Sequence, residues 1–162
     1  MKRSLVLLLA LLLVFTLAAV GCQQKEEEQP APQERPAFVP PPFDETAVNG
    51  YPEVPAELNW GEAKAEGAYA VSVCSVVRVV DGKADIYLTN YANSTVWVKL
   101  RALDANGKIL GETGLIKAGQ YVQTITFTTP PAAGDTIQMK VMGYVPDTYQ
   151  SAGAFVLNTV VS

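Results

Sequence analysis

Val96-Trp97-Val98-Lys99-Leu100-Arg101-Ala102-Leu103-Asp104-Ala105-Asn106-Gly107 sets the structural period of this chain. Val96, Val98 and Leu100 alternate with Trp97, Lys99 and Arg101, the period of two expected of a strand with one buried and one wet face. Asn106-Gly107 supplies a hairpin turn before a further strand over 108–113. Upstream, Val71, Val73, Val77 and Val79 precede Asp81-Gly82, and Ile86 and Leu88 follow it, which predicts a second hairpin. Downstream, strands are expected at 121–128, 136–145 and 153–161. Pro130-Pro131-Ala132-Ala133-Gly134 marks one gap, and Pro146, Asp147 and Gly153 bound the next.

Seven short strands at roughly ten-residue spacing, with no helical period of 3.6, predict an all-β, antiparallel sandwich. The hairpins between strands one and two, three and four, and six and seven fit an immunoglobulin-like or fibronectin-type-III-like arrangement of two sheets. Two marks of antibody domains are missing: there is no cysteine pair to cross the sheets, and Thr136 or Ile137 stands where a tyrosine corner would begin.

Outward from this region the composition changes. Over 60–162 eight acidic residues balance eight basic ones, and no basic stripe exists to track a nucleic acid backbone. About one hundred residues suffice for a single core. The stretch 23–59 instead holds eight of the eleven prolines and eight acids against Lys25 and Arg35. That composition predicts a disordered, acidic, Pro-rich tether over 22–59, extended at ~3.1 Å per residue to as much as roughly 100 Å. The domain is expected to begin at Trp60.

The first residues carry an address. Lys2 and Arg3 precede an apolar run over 5–20, which ends at Ala19-Val20-Gly21-Cys22. The run is shorter than the roughly 20 apolar residues of a spanning helix. This segment resembles the bacterial lipoprotein signal, with Ala19 where that family usually has Leu. The resemblance implies removal of a signal peptide at 1–21, a diacylglyceryl thioether on Cys22, and an extracytoplasmic protein held to the bacterial cell membrane by lipid. Within the domain, Gly111-Glu112-Thr113-Gly114-Leu115-Ile116-Lys117-Ala118-Gly119-Gln120-Tyr121-Val122 is similar to the segment that precedes a strand in small immunoglobulin-like lipoproteins and surface modules of Gram-positive bacteria. The residues 90–94 and Val141-Met142-Gly143-Tyr144 fit the same pattern, and Ala118 replaces the usual proline. This likeness implies a fold and a location and carries no catalytic residues over.

The side-chain inventory argues against catalysis. Histidine is absent, which removes the usual serine and cysteine triads and the commonest zinc ligand. With Cys22 lipidated, Cys74 is the remaining thiol; set among Val71, Val73, Val76 and Val77, it is expected to be a buried small hydrophobe. Asp104-Ala105-Asn106-Gly107 lacks the further oxygen ligands of a calcium loop. No pair among the scattered acids stands out as a glycosidase pair. The chain is therefore read as a non-enzyme that needs no cofactor or metal.

Aromatic residues remain as candidates for recognition. Alternation places Trp97 on the face of Lys99 and Arg101, at least partly exposed, while Tyr91, Tyr144 and Tyr149 fall at strand ends or in loops. Such rings anchor protein partners or stack on sugars. The plainer alternative is that the Trp97 ring lies over a lysine stem or under the loop between the last two strands. The overall expectation is a membrane-anchored envelope lipoprotein presenting a non-catalytic interaction domain for a protein or glycan ligand. A carbohydrate-binding module would show a planar row of exposed rings. A structural accessory subunit of an envelope complex would show an apolar patch or an unpaired sheet edge.

Overall fold

The computed structural model describes residues 38–64 and 69–162. The expected signal peptide at 1–21, the lipidated Cys22 and the tether up to residue 37 lie outside the described residues. Among the described residues no helix is long and apolar enough to cross a membrane. A compact unit runs from Val39 to Ser162. Its elements are β1 (Val48–Asn49), a 3-10 turn (Ala56–Leu58), β2 (Trp60–Lys64), β3 (Ala70–Cys74), β4 (Lys83–Asn90), β5 (Trp97–Leu103), β6 (Ile109–Glu112), β7 (Gln120–Thr126), β8 (Thr136–Tyr144) and β9 (Ser151–Val160).

The strands form two antiparallel sheets, one in the order β1-β7-β4-β3-β2 and one in the order β6-β5-β8-β9. Their inner faces share one core, in which Ile86 and Leu88 of β4 meet Val98 and Leu100 of β5 and Ile137, Met139 and Val141 of β8. Each such side chain contributes ~1.5–3 kcal/mol on burial. The result is the all-β, antiparallel sandwich that the alternation predicts, with the three expected hairpins present as β3–β4, β5–β6 and β8–β9 pairings and with β1 and β2 added to the seven expected strands.

The two turn signals play out differently. Asp81 (φ 50°) and Gly82 (φ 74°) are both left-handed, and Val80 and Lys83 exchange backbone hydrogen bonds of 2.8 and 2.9 Å across them, a two-residue hairpin turn. The ladder beyond is short, however, because residues 75–79 leave the sheet of β3. Val77 bridges in parallel to Val161, and Val77 O accepts the Ser162 N–H at 2.9 Å, so this stretch crosses to the other sheet. At the second turn Asp104 Oδ1 accepts the N–H groups of Asn106 and Lys108, both at 2.8 Å, and the loop is longer than two residues. A register shift at Ala102/Leu103 absorbs the difference.

The start of the compact unit differs from the expectation at Trp60. Pro42 O accepts the Leu115 N–H and Leu115 O accepts the Asp44 N–H, each at 2.9 Å, while Asp44 Oδ2 takes the Gly114 N–H at 2.7 Å. Val48 and Asn49 then pair with Tyr121 and Gln120 on the opposite sheet. Further on, Leu58 is buried with Cys74 and Tyr87, flanked by Val54 and Trp60. Residues 39–59 therefore belong to the sandwich. Their mean composition concealed isolated apolar anchors, Phe43, Val54 and Leu58, and a proline needs no N–H to serve as a carbonyl acceptor at a sheet edge.

Candidate functional site

The site is built at one end of the β6-β5-β8-β9 sheet, on its outer face. Trp97 opens β5 and stands directly across from Tyr144, which closes β8. The loop between β8 and β9 is confined to 145–150, shorter than the punctuation suggests, because the strands run to Tyr144 and resume at Ser151. Val145 N–H bonds Gln150 O at 2.8 Å and Tyr149 N–H bonds Val145 O at 2.9 Å. Left-handed conformations at Asp147 (φ 63°) and Tyr149 (φ 56°) turn this loop back over the strand ends. The Tyr149 ring thereby meets Trp97 edge-on, with centroids 5.4 Å apart and planes at 63°.

Phe43 approaches the same indole, at 4.8 Å and 73°. Sequence reasoning missed this residue, since it lay in the presumed tether. The available signal is Asp44-Glu45-Thr46, where Asp44 Oδ1 accepts the Thr46 N–H at 2.9 Å and its hydroxyl at 2.6 Å in a local turn just after the ring. Lys117 Nζ sits 4.6 Å from the centre of the Phe43 ring, a cation–π contact. Two separate parts of the chain, at Phe43 and at Tyr149, thus converge on Trp97, which is half-buried, and Lys117 joins through Phe43. Its contact with the loop between the last two strands is the plainer of the two placements expected for it. The flanking rings stand steeply to the indole and do not form a coplanar row.

Tyr91 is placed elsewhere. Its hydroxyl lies 2.7 Å from Ser72 Oγ and its ring 6.3 Å from Tyr51, another aromatic of the presumed tether. The Tyr144 hydroxyl reaches Met142 Sδ at 3.9 Å. Beside the cluster, Lys99 corrects the simple alternation: on the outer face of β5 it is only 5% exposed. Glu112 of β6 accounts for it, with Oε1 2.8 Å from Lys99 Nζ and Oε2 2.9 Å from both Nε and Nη2 of Arg101. Burial works to raise the Glu112 pKa, but the hydrogen bonds and charges of Lys99 and Arg101 prevail and hold it below the usual carboxylate value.

Chemical groups elsewhere are committed to structure. Cys74 is fully buried, and burial first, then the Asp85 charge, pushes its thiol up to about 12, so it stays protonated and unreactive. Around it, Tyr87 adopts φ 44° within a bulge between Asp85 and Leu88, and Trp60 Nε1 donates to Tyr87 O at 2.9 Å. A cavity of about 420 Å³ nearby is lined by Glu57, Leu58, Arg78, Lys83, Asp85 and Thr124 among others. Asp85 Oδ1 there accepts from Thr124 Oγ1 at 3.0 Å. Asp104 spends its carboxylate on its own turn. Among the described residues no group of three or more thiols and carboxylates gathers as a metal site.

No family model matches the chain, and neither a curated protein nor a solved structure does, so its functional reading rests on its own residues.

Proposed function

We propose that this protein is a lipid-anchored component of the bacterial cell envelope that presents a non-catalytic immunoglobulin-like domain to a macromolecular partner. The observation that carries the location is Ala19-Val20-Gly21-Cys22 after an apolar run and a cationic start. A thioether-linked lipid and a further acyl chain would together hold the protein durably, where one chain alone holds only marginally. The observation that supports recognition is the convergence of Phe43, Trp97 and Tyr149, with Lys117, on a surface supported by a rigid sheet. Ring planes at 63° and 73° to the indole offer clefts between edges, which suit an inserted protein side chain better than a flat sugar face.

The test is a paired comparison of the full chain and its Tyr149→Ala variant, each probed with a glycan array and with detergent-solubilised envelope proteins. The expected result is a protein contact made by wild type and weakened at least about tenfold by the variant, as for an aromatic anchor worth ~1.4 kcal/mol or more. Array binding lost in the variant would instead favour the glycan reading. Binding untouched by Tyr149→Ala would remove the aromatic cluster from the account.

A further inference from the structure

Four strands end the two sheets, and they are treated very differently. β1 is two residues long. β2 is five residues long and carries Glu62 and Lys64, paired at 2.7 Å. β6 is four residues long and its outer side is occupied, with Leu110 O accepting the Thr128 N–H at 2.8 Å. Short length, charge and cover are the devices that keep sheet edges from joining other chains. β9 has ten residues and no charge from Ser151 to Ser162. Its far end is covered, since Thr159 Oγ1 donates to Ser75 O and Ser162 N–H to Val77 O. Between Ala154 and Asn158, among the described residues, the backbone pairs with β8 alone.

We propose that this free edge is the seam of a homodimer, in which β9 of two copies pairs antiparallel across a twofold axis to make one continuous sheet. The strand is complementary to itself. A twofold centred on Phe155, within the free stretch 154–158, sets Ala154 against the partner's Val156 on the outer face. On the inner face it sets Phe155 against the partner's Phe155 at the axis itself. The outer-face match joins a small residue to a large one, the axial match joins two aromatic rings, and no like charges meet. Two side chains gain cover: Phe155 and Leu157 face the core yet are only half-buried, and Leu157 borders an open groove of about 200 Å³ beside Gly61, Ala63 and Val73. Val156, 44% exposed on the outer face, gains a neighbour as well. A heterologous peptide would find no charge on β9 by which to be selected, and Glu62, which borders the same groove, is already paired with Lys64.

Sedimentation of the full-length chain in detergent, over a concentration series, tests the seam. Wild type is expected to pass from monomer to dimer as concentration rises. A154K/V156K sets lysine against lysine in both outer-face pairs and is expected to weaken the dimer by about tenfold or more. A154E/V156K sets opposite charges in the same pairs and is expected to restore wild-type association to within about threefold. Both residues are exposed, so melting curves should show each variant folded. A wild-type chain that stays monomeric throughout overturns the proposal, as does an A154E/V156K chain that fails to associate. Should A154K/V156K prove unfolded, those two measurements still decide.

Discussion

Lys99 shows how one residue departs from its pattern. Period-two alternation assigns it correctly to the outer face of β5, but a face is not the same as exposure. Cover comes from Glu112, which no local pattern links to Lys99 and which only the β5–β6 pairing brings within 2.8 Å. Removing Glu112 would leave a lysine with a 7% exposed side chain and no counter-charge. Glu112→Gln is therefore expected to destabilise the domain by ~1–3 kcal/mol, read by thermal or denaturant melting. The pH dependence has a definite sign. Glu112 has its pKa lowered on folding, so its contribution is complete above its ordinary value of 4.5 and is lost as the pH falls through the lower, folded value. Wild type should lose stability over that acid range more steeply than the variant, and parallel profiles would refute the pairing as a source of stability. Gly143 makes a similar point about packing. A Cβ there would strike Cε1 of Tyr69, whose hydroxyl lies 3.2 Å from Val141 O and 3.1 Å from Gly153 O. Gly143→Ala should cost ~1–3 kcal/mol by overpacking, measured in the same melts, and an unchanged midpoint would show that the ring can move aside.

At the scale of elements, the strands from β3 onward and their hairpins are legible because each combines a period of two with turn chemistry that acts over a few residues, whereas β1 and β2 carry no such pattern. The aromatic cluster is legible in part: alternation and loop position single out Trp97 and Tyr149, yet nothing local reveals that Phe43 joins them or that Tyr91 does not. The segment before Trp60 was illegible for a physical reason. Its order comes from partners far along the chain, Leu115 for Phe43 and Asp44, Tyr121 for Val48, and Cys74 for Leu58. A chain beginning at Val39 should consequently be more stable than one beginning at Trp60, by at least the ~2 kcal/mol of burying Leu58. Cys74 offers a direct readout: a thiol reagent should modify it slowly in the longer chain and readily in the shorter one. Equal reactivity and equal melting would mean that 39–59 adds nothing to the fold. A finer test is Gly114→Ala, whose Cβ would collide with the backbone of Asp44. It should loosen Phe43 from Trp97 and shift the indole fluorescence toward that of a wetter ring.

For the whole molecule, the proposed function couples a lipid address at Cys22 to a recognition surface on the sandwich. The sandwich itself names no ligand, since its core and turns could serve many functions and function resides in the site it carries. The proposed location hangs on one atom, Sγ of Cys22, the single lipid attachment proposed. Metabolic labelling with a fatty acid, followed by membrane fractionation of wild type and Cys22→Ala, addresses that atom directly. Label is expected in the wild-type chain, recovered with the membrane, and none in Cys22→Ala, which should be released or left unprocessed. Equal incorporation of label into both chains, or none into either, would contradict the proposed attachment.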